Sequence, residues 1–494
     1  MKTTNNLKLM LMLMLAFAIA TPPSLAQVVF DGRALVQSQN VPVAIKDQDS
    51  VQERNAGPDR NTASNPRPVQ ELLSIADAVG ISLEKNYDIR VAKLDTVVSG
   101  NNATAGNAGL LPSVYANGGY DFQKNDTDLE IAMFNEDGSQ SVTPISVDGA
   151  ETEILTASIT AEYTLFDGLG GYHRLDLLQN VNDQTRLQTQ YQIENTVLNT
   201  VIFYLNVAVQ QENLEISQEQ LDISNERLRR VESKFNFGAG NRTAVLNAEV
   251  DVKNDSVALR QNQLRYKLAK NDLNTFMGRD PKTHFMVESN VNFYPLISKE
   301  MLEAEVVENN TRLRLSNEGL EIAETDLKVQ KAERFPKVFL NGGYNYQDQT
   351  NDAGQLLSQE LTGWNVGVGV RLNIFDGNRV NRRISNAKIA IEQNQLQQDK
   401  VELEVLRDFE NAYTEYEQAQ QDLAIERSNL KTFEQNFERS QIDFQNGQIT
   451  NTQLRDAQLD LSNAKFRIVQ ATYEVKQLET QVLQLTGAML SSLK

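Results

Sequence analysis

Leu111-Pro112-Ser113-Val114-Tyr115-Ala116-Asn117-Gly118-Gly119-Tyr120 returns 224 positions later as Phe335-Pro336-Lys337-Val338-Phe339-Leu340-Asn341-Gly342-Gly343-Tyr344. A chain that carries one module twice has its architecture constrained before any single residue is read. Further on, Leu165-Phe166-Asp167-Gly168 recurs as Ile374-Phe375-Asp376-Gly377. The same shift of 209 aligns Phe235 with Phe444, Gly238 with Gly447, Ala248 with Ala457 and Gly278 with Gly487. The two shifts differ by 15 residues, so one loop is shorter in the second copy.

The quoted stretch alternates. Val114, Ala116, Gly118, Tyr120 and Phe122 face one way; Ser113, Tyr115, Asn117, Asp121 and Gln123 face the other. Strands are expected over 113–123 and 154–166 in the first copy and over 337–347 and 363–374 in the second. Trp364, Val366, Val368, Val370, Leu372 and Ile374 form the cleanest apolar row. Period-two alternation over about 10 residues with aromatic residues near the ends is the pattern of an outer-membrane barrel strand. Four strands do not close a barrel, and each open edge leaves backbone polar groups unpaired in lipid at several kcal/mol each. The strands therefore require sister copies. The intervening 124–153, rich in Asp, Asn, Ser and Gly, reads as the longer of two outer hairpin loops.

After Gly168 and after Gly377 come long helix-forming stretches without proline. Val207, Leu214, Leu221, Leu228 and Phe235 recur every seventh residue, as do Tyr416, Leu423, Leu430, Phe437 and Phe444. A sustained seven-residue period means coiled-coil contact. Long helices are expected at 168–237 and 377–446, with helices at 241–277 and 450–486 and others over about 70–108 and 298–334. Two short helices stacked end to end match one long one. Pro112 and Pro336 stop helices before strands. Asp167 and Asp376 stand where a helix amino terminus takes a capping carboxylate, and Gly278 and Gly487 where a helix takes a glycine cap.

The amino terminus joins Lys2 and Lys8 to an apolar run from Leu9 to Ala20 and a small-residue exit at Ser24-Leu25-Ala26, which predicts a secretory signal over 1–26. Residues 27–68 read as an extended or disordered leader, 69–278 and 298–488 as the two repeats, 279–297 as their connector and 489–494 as a tail. Formal charge is −19, and about −21 once the two signal lysines are gone. A nucleic-acid partner is excluded on that balance. With no cysteine, only His173 and His284, and no phosphate loop or metal-ligand spacing, an enzyme is not expected and neither is a metal or cofactor.

The duplicated strand entries, the Leu165–Gly168 and Ile374–Gly377 exits, and the glycine tips Phe237-Gly238 and Asn446-Gly447 resemble the TolC family of outer-membrane efflux and type I secretion channels. The resemblance covers about residues 70–490. It implies an α+β membrane protein: a homotrimer with a twelve-stranded barrel in the outer membrane, continued through the periplasm by a coiled-coil tunnel. It further implies a passive duct for small toxic compounds or unfolded proteins, gripped at its periplasmic end by a membrane-fusion adaptor and an inner-membrane efflux or ABC transporter.

Site residues follow from the same likeness. Phe237, Gly238, Gly240, Asn446 and Gly447 correspond to adaptor-contact tips. Asp456 matches an inner carboxylate of the entrance and Phe444 an aromatic position, while Gln453 replaces the second carboxylate and Ile449 the expected arginine. Arg242 and Arg455 are the available partners for Asp456. The competing reading is a periplasmic coiled-coil adaptor or spacer, which would not need two strand pairs with uncovered apolar faces.

Overall fold

The computed structural model describes residues 71–134, 138–290, 292–293, 298–353 and 356–489. The signal, the 27–68 leader and the tail beyond Met489 lie outside the described residues. In chain order the elements are β1 (Glu71–Leu73), α1 (Ile75–Lys85), α2 (Tyr87–Asn102), β2 (Ser113–Phe134), β3 (Gln140–Phe166), α3 (Gly170–Asn236) and α4 (Arg242–Phe276). There follow β4 (Phe285–Val287), α5 (Lys299–Asn309), α6 (Thr311–Ala332), β5 (Lys337–Asn351), β6 (Ser358–Arg371), α7 (Arg379–Gln445) and α8 (Asn451–Leu485).

One antiparallel sheet runs in the order β2-β3-β5-β6, so the two strand pairs join through β3 and β5 and leave β2 and β6 as edges. Ser113 pairs with Glu162, Thr160 with Gly343, and Gly343 with Asn365, which sets the two copies of the quoted stretch on either side of β3. Trp364, Val366, Val368 and Val370 are all exposed along one face of β6. On the opposite face of the sheet the Tyr115 hydroxyl donates to Glu162 at 2.6 Å.

The strand bounds differ from the sequence expectation. Most of 124–153, expected as loop, is ladder: β2 continues to Phe134 and β3 begins at Gln140. The apolar–polar alternation on which the expected bounds rested ends near Gln123, while the backbone pairing continues. β6 spans Ser358–Arg371, so Leu372 to Ile374 follow the strand.

α3 and α7 are each 67 residues, roughly 100 Å of helix. The expected helix over 70–108 is instead the short strand β1 followed by α1 and α2, and that over 298–334 is α5 followed by α6. Each pair breaks at an asparagine, because the side chain offers an incoming helix what its amino terminus lacks. Asn86 Oδ1 accepts the N–H groups of Asp88 and Ile89, while its Nδ2 donates to the last carbonyls of α4 at Phe276, 2.8 Å away. Asn310 does the same in the second copy, accepting from Arg312 and Leu313 and donating to Leu485 O at 2.9 Å. Two asparagines thus splice α2 onto α4 and α6 onto α8.

Gly278 and Gly487 close these joints at φ 73° and 72°. A Cβ on Gly278 would stand 2.6 Å from Lys85 O. Of the two expected capping carboxylates, Asp376 accepts from Arg379 N and Val380 N, but no side-chain cap bond is made at the start of α3. There Leu169 turns the chain at φ 67° and the Asp167 backbone carbonyl takes the Gly170 N–H.

Three apolar clusters hold the body: one around Tyr204, Leu273 and Phe285 at the splice, one around Phe409, Val405 and Val482, and one near the far turns. Beside the sheet the helices lie in the order α2-α3-α6-α7, and beyond the splices in the order α4-α3-α8-α7. Both layers have open flanks. Val91, Leu94 and Val98 are exposed on α2, and Ile389, Leu396 and Leu403 on α7; farther down, Leu246, Val257 and Leu264 on α4 have counterparts in Ile425 and Ile442 on α7.

Candidate functional site at the helical tips

The ends of α3 and α7 farthest from the sheet turn through Gly238 and Gly447, at φ 74° and 73°. Both turns close alike: Ala239 N donates to Lys234 O and Gln448 N to Asp443 O, each at 2.8 Å. A left-handed residue at this position satisfies the last helical carbonyls and favours glycine. A Cβ at either glycine meets nothing within 4 Å in the protomer, so the tips are open to whatever approaches. Gly240 differs: a Cβ there would lie 3.0 Å from Phe235 N. Phe237 is 86% exposed at the first tip, and Asn446 is exposed at the second.

The expected entrance residues are not gathered into one cluster. Phe444 is buried with Val231, Val245, Phe437 and Leu454, because the heptad that carries it points into the tip core. The Lys234 ammonium sits 4.4 Å from its ring centroid. Gln453 is engaged in a capping box with Thr450, accepting from Thr450 N at 2.8 Å, since the α8 amino terminus leaves unpaired N–H groups for it to satisfy. Arg242 reaches Glu249 of its own helix at 3.8 Å rather than Asp456. Asp456 is exposed and makes no ion pair with a described residue.

Arg455 turns away from its neighbour Asp456 and crosses to α4. Its guanidinium donates to Asp255 at 2.7 and 2.8 Å and to Ser224 at 3.0 Å, and approaches Asp251 at 3.8 Å. Arg227 donates to Asp251 at 2.7 Å. Gln220 adds a bond to Asp255, and Gln458 bonds Ser224 and the Gln220 carbonyl. Two arginines and two aspartates therefore form a neutral, mostly buried layer that ties the first turns of α8 to the α3–α4 hairpin, several turns above the Gly238 tip. Burial lowers the Arg227 pKa from its ordinary value, opposed by Asp251 beside it. Withdrawing a charge from water is costly unless a partner and hydrogen bonds compensate, so losing either partner is expensive.

Ser224, Arg227, Asp251 and Asp255 were not singled out from the sequence. A signal existed: Asp255 falls on the buried seven-residue stripe Ala248, Asp255, Asn262, Ala269 of α4. A carboxylate at a coiled-coil core position calls for a cation opposite.

A family model described as "Outer membrane efflux protein" matches residues 78–279 and 303–488. No curated protein sequence matches the chain. Among solved structures, the chain is similar to the Campylobacter jejuni CmeC outer membrane channel, at 15% identity and TM-score 0.68 over 84% of this chain and 86% of that one. It is similar also to the outer membrane protein VceC of Vibrio cholerae, at 14% identity and TM-score 0.65 over 84% and 96%. The open state of the Neisseria gonorrhoeae MtrE outer membrane channel matches at 16% identity and TM-score 0.65, over 84% and 89%. At these identities the likeness is one of fold.

Proposed function

The chain belongs to the outer membrane efflux protein family and is an outer-membrane exit duct, and from that premise we propose how its copies close and where cargo enters. Three copies join head to tail around one pore, with β6 of each pairing with β2 of the next. The single observation that carries this reading is that both free flanks are apolar at matching depths. Ser99 bonds Thr185, Thr189 bonds Ala92 O, Gly319 lies against Asn394, and Asn317 bonds Gln398, which levels α2 with α7 across the layer. On that scale Val98 stands level with Leu396 and Val91 with Leu403. Heterologous contacts between the opposite flanks of identical copies generate a ring when the rotation closes, and a closed sheet alone removes its edges in lipid.

Such a ring makes the sheets a barrel and the helices its periplasmic extension. Among the described residues no helix is long and apolar enough to cross a membrane; the exposed apolar row Trp364, Val366, Val368 and Val370 of β6 is what supports a crossing by strands. The adaptor reading is not favoured, since it leaves the apolar face of the four-stranded sheet without a use. Single-channel recording tests the proposal: purified protein added to a planar bilayer gives discrete conductance steps, whereas a folded monomer without conductance would overturn it.

Phe237, Gly238, Gly240, Asn446 and Gly447 are the contact tips for a periplasmic adaptor, which hands over cargo from an inner-membrane pump. Gly447→Trp has room within the protomer and costs about 1–2 kcal/mol of left-handed backbone strain. It is expected to stop export while the heat-stable oligomer persists; normal export would remove the tip from the docking site. The Arg455–Asp255 layer holds α8 and its entrance residue Asp456 against the α3–α4 hairpin. Three exposed Asp456 carboxylates around a narrow entrance favour cations. Asp456→Ala is expected to reduce cation preference in reversal-potential measurements, and an unchanged potential counts against that role.

A further inference from the structure

We propose that the part of the β2–β3 hairpin beyond the four-stranded sheet is an assembly surface, whose lumen-side face packs on the same face of its sister copies and narrows the extracellular mouth. The inference rests on the head-to-tail ring described above. β2 and β3 are 22 and 27 residues long, against 15 and 14 for β5 and β6. The wide ladder ends where Thr152 pairs with Asn351 and where Glu151 and Asp352 exchange two hydrogen bonds, at 2.7 and 3.0 Å. Beyond that point β3 pairs with β2 alone.

A bulge sits at this boundary. Asn125 pairs with Ala150 but Thr127 with Val147, so β3 gains one residue over β2. Gly149 takes φ 68° and donates its N–H to Asp126 Oδ1 at 2.7 Å. One extra residue reverses which side of the ribbon each later β3 side chain occupies. Below the bulge Leu155, Ala157 and Ile159 share the lipid side with Tyr120, Gly118 and Ala116. Above it Ile145 and Val147 join Thr127 and Ile131 on the side that continues the lumen face.

Next to the bulge the polarity of the ribbon is thereby inverted, while farther out Ala132 and Val142 pair on its outer side. Its outer side carries Asp126, Asp128 and Glu130, with Lys124 and Glu151 paired at 2.6 Å at its base and Ser146 donating to Asp128 at 2.5 Å. Its inner side is aliphatic at Ile131, Ile145 and Val147. A two-stranded ribbon with one apolar face is marginal alone in water and gains stability when that face is covered. Identical ribbons of the ring are the partners at hand, and their acidic sides repel one another if turned inward. About eight residues past the bulge give roughly 25 Å of reach, against a radius of about 12 Å for twelve strands 4.8 Å apart and tilted by ~40°.

The chain has no cysteine, so a disulfide formed by one introduced cysteine must join two copies. Ile131→Cys in cells is expected to give covalent dimers on mild oxidation, and Val147→Cys the same, whereas Glu130→Cys on the acidic side stays uncoupled. In bilayers, replacing 127–147 by a short turn raises single-channel conductance several-fold. Uncoupled Ile131→Cys and Val147→Cys variants in an intact oligomer, or equal coupling of Glu130→Cys, would overturn the inference. Absence of any heat-stable oligomer from the unaltered protein would instead overturn the ring on which it rests.

Discussion

The double substitution Leu396→Asp with Leu403→Asp abolishes the heat-stable oligomer and with it all conductance, while each protomer keeps its helices. Both leucines are solvent-facing in the protomer, at 64% and 69% exposure, so a carboxylate there costs the isolated chain little. Across the ring they meet the aliphatic flank of the neighbouring α2, where an unpaired charge withdrawn from water costs several kcal/mol. Two such charges recur at every junction. Semi-denaturing electrophoresis of outer-membrane fractions, with far-ultraviolet circular dichroism of the same material, checks the result. Retention of the oligomer would show that α7 and α2 do not meet between copies.

Arg455→Ala loosens the periplasmic end. The arginine and Asp255 side chains are 11% and 4% exposed, so the substitution leaves a buried carboxylate with hydrogen bonds from Ser224 and Gln220 but without its nearest cation. Removing one partner of a buried pair typically costs about 3–5 kcal/mol. Faster amide exchange in the first turns of α8, proteolytic nicking near Gly447 and larger, noisier conductance are expected. The double variant Arg455→Leu with Asp255→Leu restores much of the protection, because an apolar pair of similar size leaves no orphaned charge. Wild-type exchange in Arg455→Ala would remove this layer from control of the entrance.

Much of this architecture was legible in the residues. Repetition of the Leu111–Tyr120 stretch at Phe335–Tyr344 located the strand pairs, and the seven-residue rows ending at Phe235 and Phe444 located the long helices. Period is a one-dimensional property, and a strand in lipid or a helix in a coiled coil imposes it directly on the sequence. Loop composition misled where 124–153 proved to be mostly ladder, since pairing continues beyond the point at which the apolar–polar alternation ends. The asparagine splices at Asn86 and Asn310 were hidden because a single cap residue leaves helical periodicity intact on both sides.

The candidate site was less legible than the fold. Its glycines could be found, because a left-handed turn restricts the choice of residue. The charges could not be paired, since Arg455 is adjacent in sequence to Asp456 yet bonds Asp255, and Arg242 prefers Glu249 to either. By itself the sequence determined the period of the long helices and of the four strand segments and the polarity of their faces, and hence the expectation that sister copies complete them. Only the tertiary structure decided which charges are partners and on which side of a ribbon an aliphatic row lies. Those depend on helix rotation, on a single bulge residue and on depth along a 67-residue rod, none of which leaves a local trace in the chain.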